Sequence, residues 1–144
     1  MSALLGAGGS ARAAAYALAH AGASVAVWNR TPERARALAD DLGVEAVGAP
    51  VAAEVLVNCT SVGLTDPSST FKELPVNADS VGEYACVVDL VYRTGDTVLA
   101  QEARRRGSQV IDGLEILVQQ GALSFERWTG RAAPLQVMRE AAAR

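Results

Sequence analysis

The chain has 144 residues, half of them hydrophobic and a fifth charged, with 13 Lys and Arg against 16 Asp and Glu for a formal charge of −3. That fits one globular domain, long enough to bury about two-thirds of its unfolded surface, and it lacks the basic excess that would hold nucleic acid or an anionic membrane. A single histidine and two cysteines without Cys-x-x-Cys spacing leave no ligand set for a metal, and no apolar run reaches the ~20 residues that cross a bilayer.

Ala3-Leu4-Leu5 is a short apolar stub that runs into Gly6-Ala7-Gly8-Gly9. Only Met1 and Ser2 stand ahead of it, without the basic region and cleavage site of a signal peptide. The stub therefore reads as the first strand of a domain that follows another in its parent protein. A helix is predicted over residues 10–21, with Gly22 as its left-handed stop and His20 at its surface end. Residues 24–28 form a second strand. Thr31-Pro32 carries the cap-and-proline signature of a helix start; that helix runs to about Leu42 and ends at Gly43. Residues 44–47 are a short third strand, 50–54 a weak helical segment and 55–58 a fourth strand. Residues 63–83, with Pro67, Pro75 and several Ser, Asn and Asp, are the best loop candidate. A fifth strand follows at 86–91, a helix at 97–106 stopped by Gly107, and a sixth strand at 109–111. Arg104, Arg105 and Arg106 fall on the last turn of that helix, where cations complement its dipole. Two helices close the chain, 115 to about 128 and 134–143, the last with Leu135, Met138 and Ala142 on one face. Cys59 and Cys86 lie in apolar runs that read as buried strands, and free thiols of this kind fit a reducing cytoplasm.

Strands alternating with helices, several strands being continuous apolar runs, predict an α/β fold with a parallel sheet covered on both faces. The expected class is a Rossmann-like doubly wound sheet of about six strands with a C-terminal helical pair, all of residues 1–144 forming one domain. A ligand belongs beyond the carboxyl ends of its strands, at the switch point.

Gly6-Ala7-Gly8-Gly9-Ser10-Ala11 matches G-x-G-x-x-G/A directly after a strand and at the head of a helix, the context this dinucleotide motif requires. Gly6 permits the tight turn, Gly8 leaves no side chain between backbone and pyrophosphate, and Ala11 lets the helix pack close. The phosphates then meet free N–H groups at the helix N-terminus. At the end of the second strand, where an acidic residue would hold a ribose 2′-hydroxyl, stands Asn29-Arg30-Thr31. No carboxylate repels a 2′-phosphate there, and the Arg30 guanidinium offers paired planar donors to one. Arg34, one helical turn on, faces the same place. The expected cofactor is thus NADP rather than NAD.

The remaining signals are weaker. Asn58-Cys59-Thr60-Ser61-Val62-Gly63 follows the fourth strand at the ligand edge; its hydroxyls suit a cofactor ribose and equally suit an ordinary polar turn. Asp89 lies inside an apolar strand and needs partners, either as a structural carboxylate bonded to loop backbone or as a functional one. Tyr92 ends that strand toward the cleft. No Ser/His/Asp or Cys/His arrangement can be assembled.

In combination the segments GAGGSARA, NRTPERA, NCTSVGL, VVDLVY and DGLEILVQQGALSFERWTG are recognisable. In this order they resemble the C-terminal, NADP-binding domain of shikimate dehydrogenases, and the stretch 112–130 separates them from glutamyl-tRNA reductases, which share similar glycine and NRT segments. The resemblance implies that Gly6, Ala7, Gly8, Gly9, Ser10 and Ala11 cradle the pyrophosphate, and that Asn29, Arg30, Thr31 and Arg34 hold the 2′-phosphate and adenine side. Thr60, Ser61 and Val62 would contact a ribose, and Leu90 and Gly113 would lie by the nicotinamide. Tyr92 and Gln120 would reach the substrate. It also implies reduction of 3-dehydroshikimate to shikimate, with quinate/shikimate dehydrogenases as the near alternative. The acid–base Lys–Asp pair of the family belongs to an N-terminal substrate domain. The lone lysine here, Lys72, does not match its motif, so this chain is expected to carry no catalytic residue and to bind cofactor without turnover. Arg93-Thr94-Gly95 stands where the family commonly has Asn-Pro.

Overall fold

A computed structural model describes residues 1–143, all but the last of the expected domain. Six strands pair in one wholly parallel sheet: β1 (Ser2–Leu5), β2 (Val25–Trp28), β3 (Glu45–Ala46), β4 (Val55–Asn58), β5 (Cys86–Asp89) and β6 (Gln109–Ile111), in the order β3-β2-β1-β4-β5-β6. The order reverses beside β1, which is flanked by β2 and β4. Leu5 lies opposite both Trp28 and Asn58, and Asn58 opposite Asp89, so the strands end level along one carboxyl edge.

The strands are buried on both faces, as a parallel sheet requires. Ala3 and Leu5 face one side with Leu56 and Val87, against Leu99 and Ala103 of α4 (Val98–Arg105). Leu4 faces the other with Val27 and Val57, against Ala11 and Ala15 of α1 (Gly9–His20) and Ala35 and Leu38 of α2 (Pro32–Leu42). The period of two along β1 thus divides one apolar stub between two cores. Gly22, at φ +85°, closes α1: Gly22 N–H donates to Ala19 O and Ala23 N–H to Leu18 O, the two bonds of a Schellman stop. Gly43 ends α2 in the left-handed conformation.

Several predicted segments are corrected. Residues 50–54 are not helical. Their burial alternates from Val51 to Val55, and Val51 and Ala53 pack against the first core as an extended crossover from the sheet's edge back to its middle. Too few residues are available there for a helix to repay its nucleation. Residues 63–83 are more than a loop: they hold a 3₁₀ turn at Pro67–Ser69, α3 (Thr70–Glu73) and a second 3₁₀ turn at Ser80–Glu83. Leu74, Val76 and Val81 are buried in the first core. These apolar residues are too widely spaced among polar ones to show a period. The strand expected over 86–91 stops at Asp89, whose side chain bonds the next turn, and the helix expected from Glu115 begins two residues earlier, as α5 (Gly113–Thr129). Both cysteines are half-buried, with Cys59 one residue beyond β4.

α6 (Leu135–Ala142) packs on α5 through half-buried Leu135, Met138 and Ala142, the predicted face. Arg139 clamps Glu115 through two bonds of 2.8 and 2.9 Å. Among the described residues no helix is long and apolar enough to cross a membrane, and no group of three metal-ligating side chains occurs.

Candidate dinucleotide site at the carboxyl edge

The turn from β1 into α1 is fixed by backbone. Gly6 N–H donates to Trp28 O, and Cys59 N–H donates to Leu5 O, both at 2.8 Å. Gly6 sits at φ +109°, and a Cβ there would lie 3.1 Å from the carbonyl of Cys59. Only glycine meets both demands. A Cβ on Gly8 or Gly9 would meet nothing within 4 Å: these positions open to solvent. Arg12 is the first residue of α1 whose N–H finds a carbonyl, that of Gly8, so the N–H groups of Gly9 and Ser10 precede the helical ladder. No acid stands in the first turn to neutralise the helix dipole. Ala11 is wholly buried beneath the turn. An open, acid-free helix N-terminus reached through side-chain-free glycines fits a pyrophosphate.

On the β2 side of this turn lies a cavity of about 160 Å³ lined by Trp28, Asn29, Arg30, Thr60, Ser61, Val62 and Glu73. Asn29 donates from Nδ2 to Thr31 O at 2.9 Å, which fixes the path of the chain into α2. Thr31 occupies the N-cap position, but its hydroxyl accepts no capping bond and stays free for a ligand. Arg12 is paired with Asp41 at 2.7 Å and Arg36 with Glu33. Arg30 and Arg34, both exposed, make no side-chain hydrogen bond or ion pair among the described residues.

On the other side a hollow of about 190 Å³ is lined by Ser10, Leu90, Tyr92, Gly113, Ile116, Leu117 and Gln120. Its wall is main chain on main chain. A Cβ on Gly113 would come within 2.3 Å of Val91 O and 2.7 Å of Tyr92 N, so α5 can approach the end of β5 only through a glycine. Asp112 caps α5 by accepting from Glu115 N–H at 3.0 Å, and Arg104 holds that carboxylate at 3.1 Å while also pairing with Asp96. The arginine run is therefore more than a dipole complement: Arg106 likewise binds Glu102 and Asp79. Tyr92 donates its hydroxyl to Ala142 O at 2.6 Å, which ties this wall to the end of α6.

Between the two hollows a buried hydrogen-bond chain joins the strand ends. Asp89, 1% exposed, accepts from Asn58 Nδ2 (3.0 Å), Val91 N–H (3.1 Å) and Thr97 Oγ1 (2.5 Å). Asn58 Oδ1 in turn accepts from Thr60 N–H and Oγ1, and Thr60 Oγ1 accepts from Val62 N–H. Burial raises the Asp89 carboxyl above its ordinary range against the opposing pull of these donors. Asp89 is thus a structural carboxylate that sets two ligand-edge loops. Burial, helped by the Asp89 charge, also pushes the Cys59 thiol up to about 12.

Of the residues expected at the site, Asn29, Arg30, Thr60, Ser61 and Val62 line one hollow and Ser10, Leu90, Tyr92, Gly113 and Gln120 the other; Thr31 and Arg34 line neither, and Ala11 is buried beneath the turn. Sequence reasoning did not point to four of the lining residues: Glu73, which had no signal inside a stretch read as loop, Trp28, whose place as the last residue of β2 could have indicated it, and Ile116 and Leu117 on the first turns of α5. Three larger hollows contain none of these groups: two, of about 330 and 640 Å³, open where strands begin rather than end, and one of about 420 Å³ lies along α5 at Leu123, Ser124, Arg127 and Trp128. Size alone does not locate the site.

Two family models match. One, described as NADP oxidoreductase, coenzyme F420-dependent, covers residues 2–91, and the other, the shikimate 5′-dehydrogenase C-terminal domain, covers 113–143. An NADP(+) shikimate dehydrogenase of Thermus thermophilus is 50% identical over 143 residues, which are 98% of this chain and 53% of that protein. The crystal structure of shikimate 5-dehydrogenase from a second strain of the same species, with NADP(H) and shikimate, superposes with a TM-score of 0.82 at 42% identity, over 98% of this chain and 53% of the other. The ligand-free 5-ketofructose reductase of Gluconobacter sp. strain CHM43 gives 0.83 at 32% identity, over 98% and 55%. The chain spans about half the length of the curated relatives it matches. With the glycine turn and the NRT segment inside the first match and the α5–α6 pair inside the second, the chain belongs to the NADP oxidoreductase family of that first model and is similar over nearly its whole length to the C-terminal half of NADP(+) shikimate dehydrogenases.

Proposed function

We propose that this chain holds NADP(H) for an oxidoreductase that reduces 3-dehydroshikimate to shikimate, the substrate being supplied by a preceding domain. The observation that carries the cofactor reading is the pair of guanidiniums, Arg30 and Arg34, without partners among the described residues at the end of β2, beside an acid-free glycine cradle. NADPH, when bound, supplies the hydride. The residues of this chain bind and orient it. Gly9 and Ser10 N–H groups take the pyrophosphate, Arg30 and Arg34 the 2′-phosphate with Asn29 and Thr31 beside them, and Thr60, Ser61 and Val62 a ribose. Leu90 and Gly113 form the apolar and main-chain wall for the nicotinamide and exclude water from it.

Tyr92 and Gln120 line that same hollow and are the two side chains of this half that face a substrate. Tyr92 would then exchange its bond to Ala142 O for one to the substrate. The proton on the alcohol oxygen is handled outside these residues, by a Lys–Asp pair of the preceding domain. The ketofructose reductase likeness favours a second reading at the level of substrate: this half suits ketone reduction on another polyol equally well, and the preceding domain makes the choice.

Calorimetric titration of the chain with NADPH and NADH tests the cofactor reading. NADPH binds more tightly, and Arg30→Ala weakens NADPH by roughly tenfold or more, the worth of a charged hydrogen bond, while weakening NADH far less. Equal affinities would count against the 2′-phosphate assignment.

A further inference from the structure

The hollow beside β2 has a wall that the proposed function does not use. Glu73 comes from α3, on the far side of the 60–62 loop, and lines the same cavity as Trp28, Arg30 and Thr60. Its carboxylate has no cationic partner among the described residues. Oε1 accepts from Ser69 Oγ at 2.5 Å, which orients the group and leaves Oε2 without a protein donor. Of the four residues assigned to the 2′-phosphate, Asn29 and Arg30 share the cavity with Glu73, and Thr31 and Arg34 do not line it.

With the pyrophosphate on the glycine turn, the adenosine must run toward the end of β2, and this cavity is the concavity it meets there. The cofactor reading above already puts the adenine side here; resting on it, we infer that Glu73 is a specificity-determining residue that accepts a hydrogen bond from the exocyclic amine of the base. A carboxylate is an acceptor only. It rewards the amine of adenine and opposes a carbonyl at the same ring position, as in hypoxanthine. A carboxylate repels a phosphate, so the contact inferred for Glu73 is with the base and not with the 2′ position.

The test compares NADPH with its deaminated analogue, nicotinamide hypoxanthine dinucleotide phosphate, on the whole chain by calorimetry. The wild-type chain binds NADPH roughly tenfold more tightly than the analogue. Glu73→Ala loses the preference while keeping its preference for NADPH over NADH. Glu73→Gln, whose amide can turn either its oxygen or its nitrogen to the base, binds both nucleotides alike and keeps the contact with Ser69. A wild-type chain that does not distinguish the two bases, or a Glu73→Ala chain that still does, overturns the inference. Failure to bind NADPH at all would instead overturn the cofactor reading on which it rests.

Discussion

Single residues decide how closely the two walls of the cleft approach. Gly113 is the tightest point: the space a methyl group would need is already filled by the Val91 carbonyl, 2.3 Å away. The opposing atom is backbone and cannot rotate aside, so Gly113→Ala forces α5 off the end of β5. The expected cost is about 3 kcal/mol, the upper end of overpacking, read as a lowered midpoint in urea unfolding. Cys59 shows the opposite side of burial. With its thiol held up at about 12 by desolvation and the Asp89 charge, it has almost no thiolate at neutral pH. Cys86 is pushed up by burial too. Iodoacetamide at pH 8 is expected to leave both unmodified in the native chain and to alkylate both in denaturant; rapid native labelling of Cys59 would contradict its burial. The sequence made Gly6, Gly8 and Arg30 legible because their chemistry follows from a local motif. It left Glu73 hidden, since its relevance depends on a tertiary approach across some forty residues of chain.

At the scale of elements, strands and long helices declared themselves and short ones did not. Gly22, Gly43 and Gly107 all take positive φ where a stop was expected, and β4 and β6 have the expected bounds. The crossover at 50–54 and the segment 63–83 defied reading because their order comes from docking onto the first core, not from any period of their own. The α5–α6 pair depends on one ion pair as well as on apolar contacts. Arg139 holds the Glu115 carboxyl down at about 2, well below its ordinary 4.5. A depressed acid stabilises the fold fully above its unfolded value and loses that contribution as pH falls through the folded one. The docking of α6 is therefore expected to weaken as pH drops from about 4.5 toward 2, seen as faster amide exchange in residues 135–142. Glu115→Gln should remove that pH dependence; its persistence would place the cause elsewhere. Because the pair lies at the surface, added salt should weaken it as well.

In the whole molecule, the six-stranded order places the cradle at the one strand with a neighbour from each half of the sheet. Nucleotide that binds only the folded chain adds its binding free energy to stability, about 2.7 kcal/mol at a hundred times Kd. Saturating NADPH is expected to raise the thermal midpoint clearly, and NADH to raise it less at equal concentration; no shift with either would contradict a preformed site. Shikimate added with NADP is expected to give no reduction of the cofactor by this chain, and turnover would show that the proton-handling groups lie within it. The central place of β1 has a further consequence, for the time course of folding. Its outer partner β2 follows within one helix, but Ser2 must also find Val55, and contacts so distant in sequence close slowly. β1, which carries the phosphate turn, is made before β4, and its edge is finished only after Asn58 has left the ribosome. Until then β1 offers an unpaired edge to any other extended chain. This sheet is most exposed to misassembly between the synthesis of β1 and that of β4.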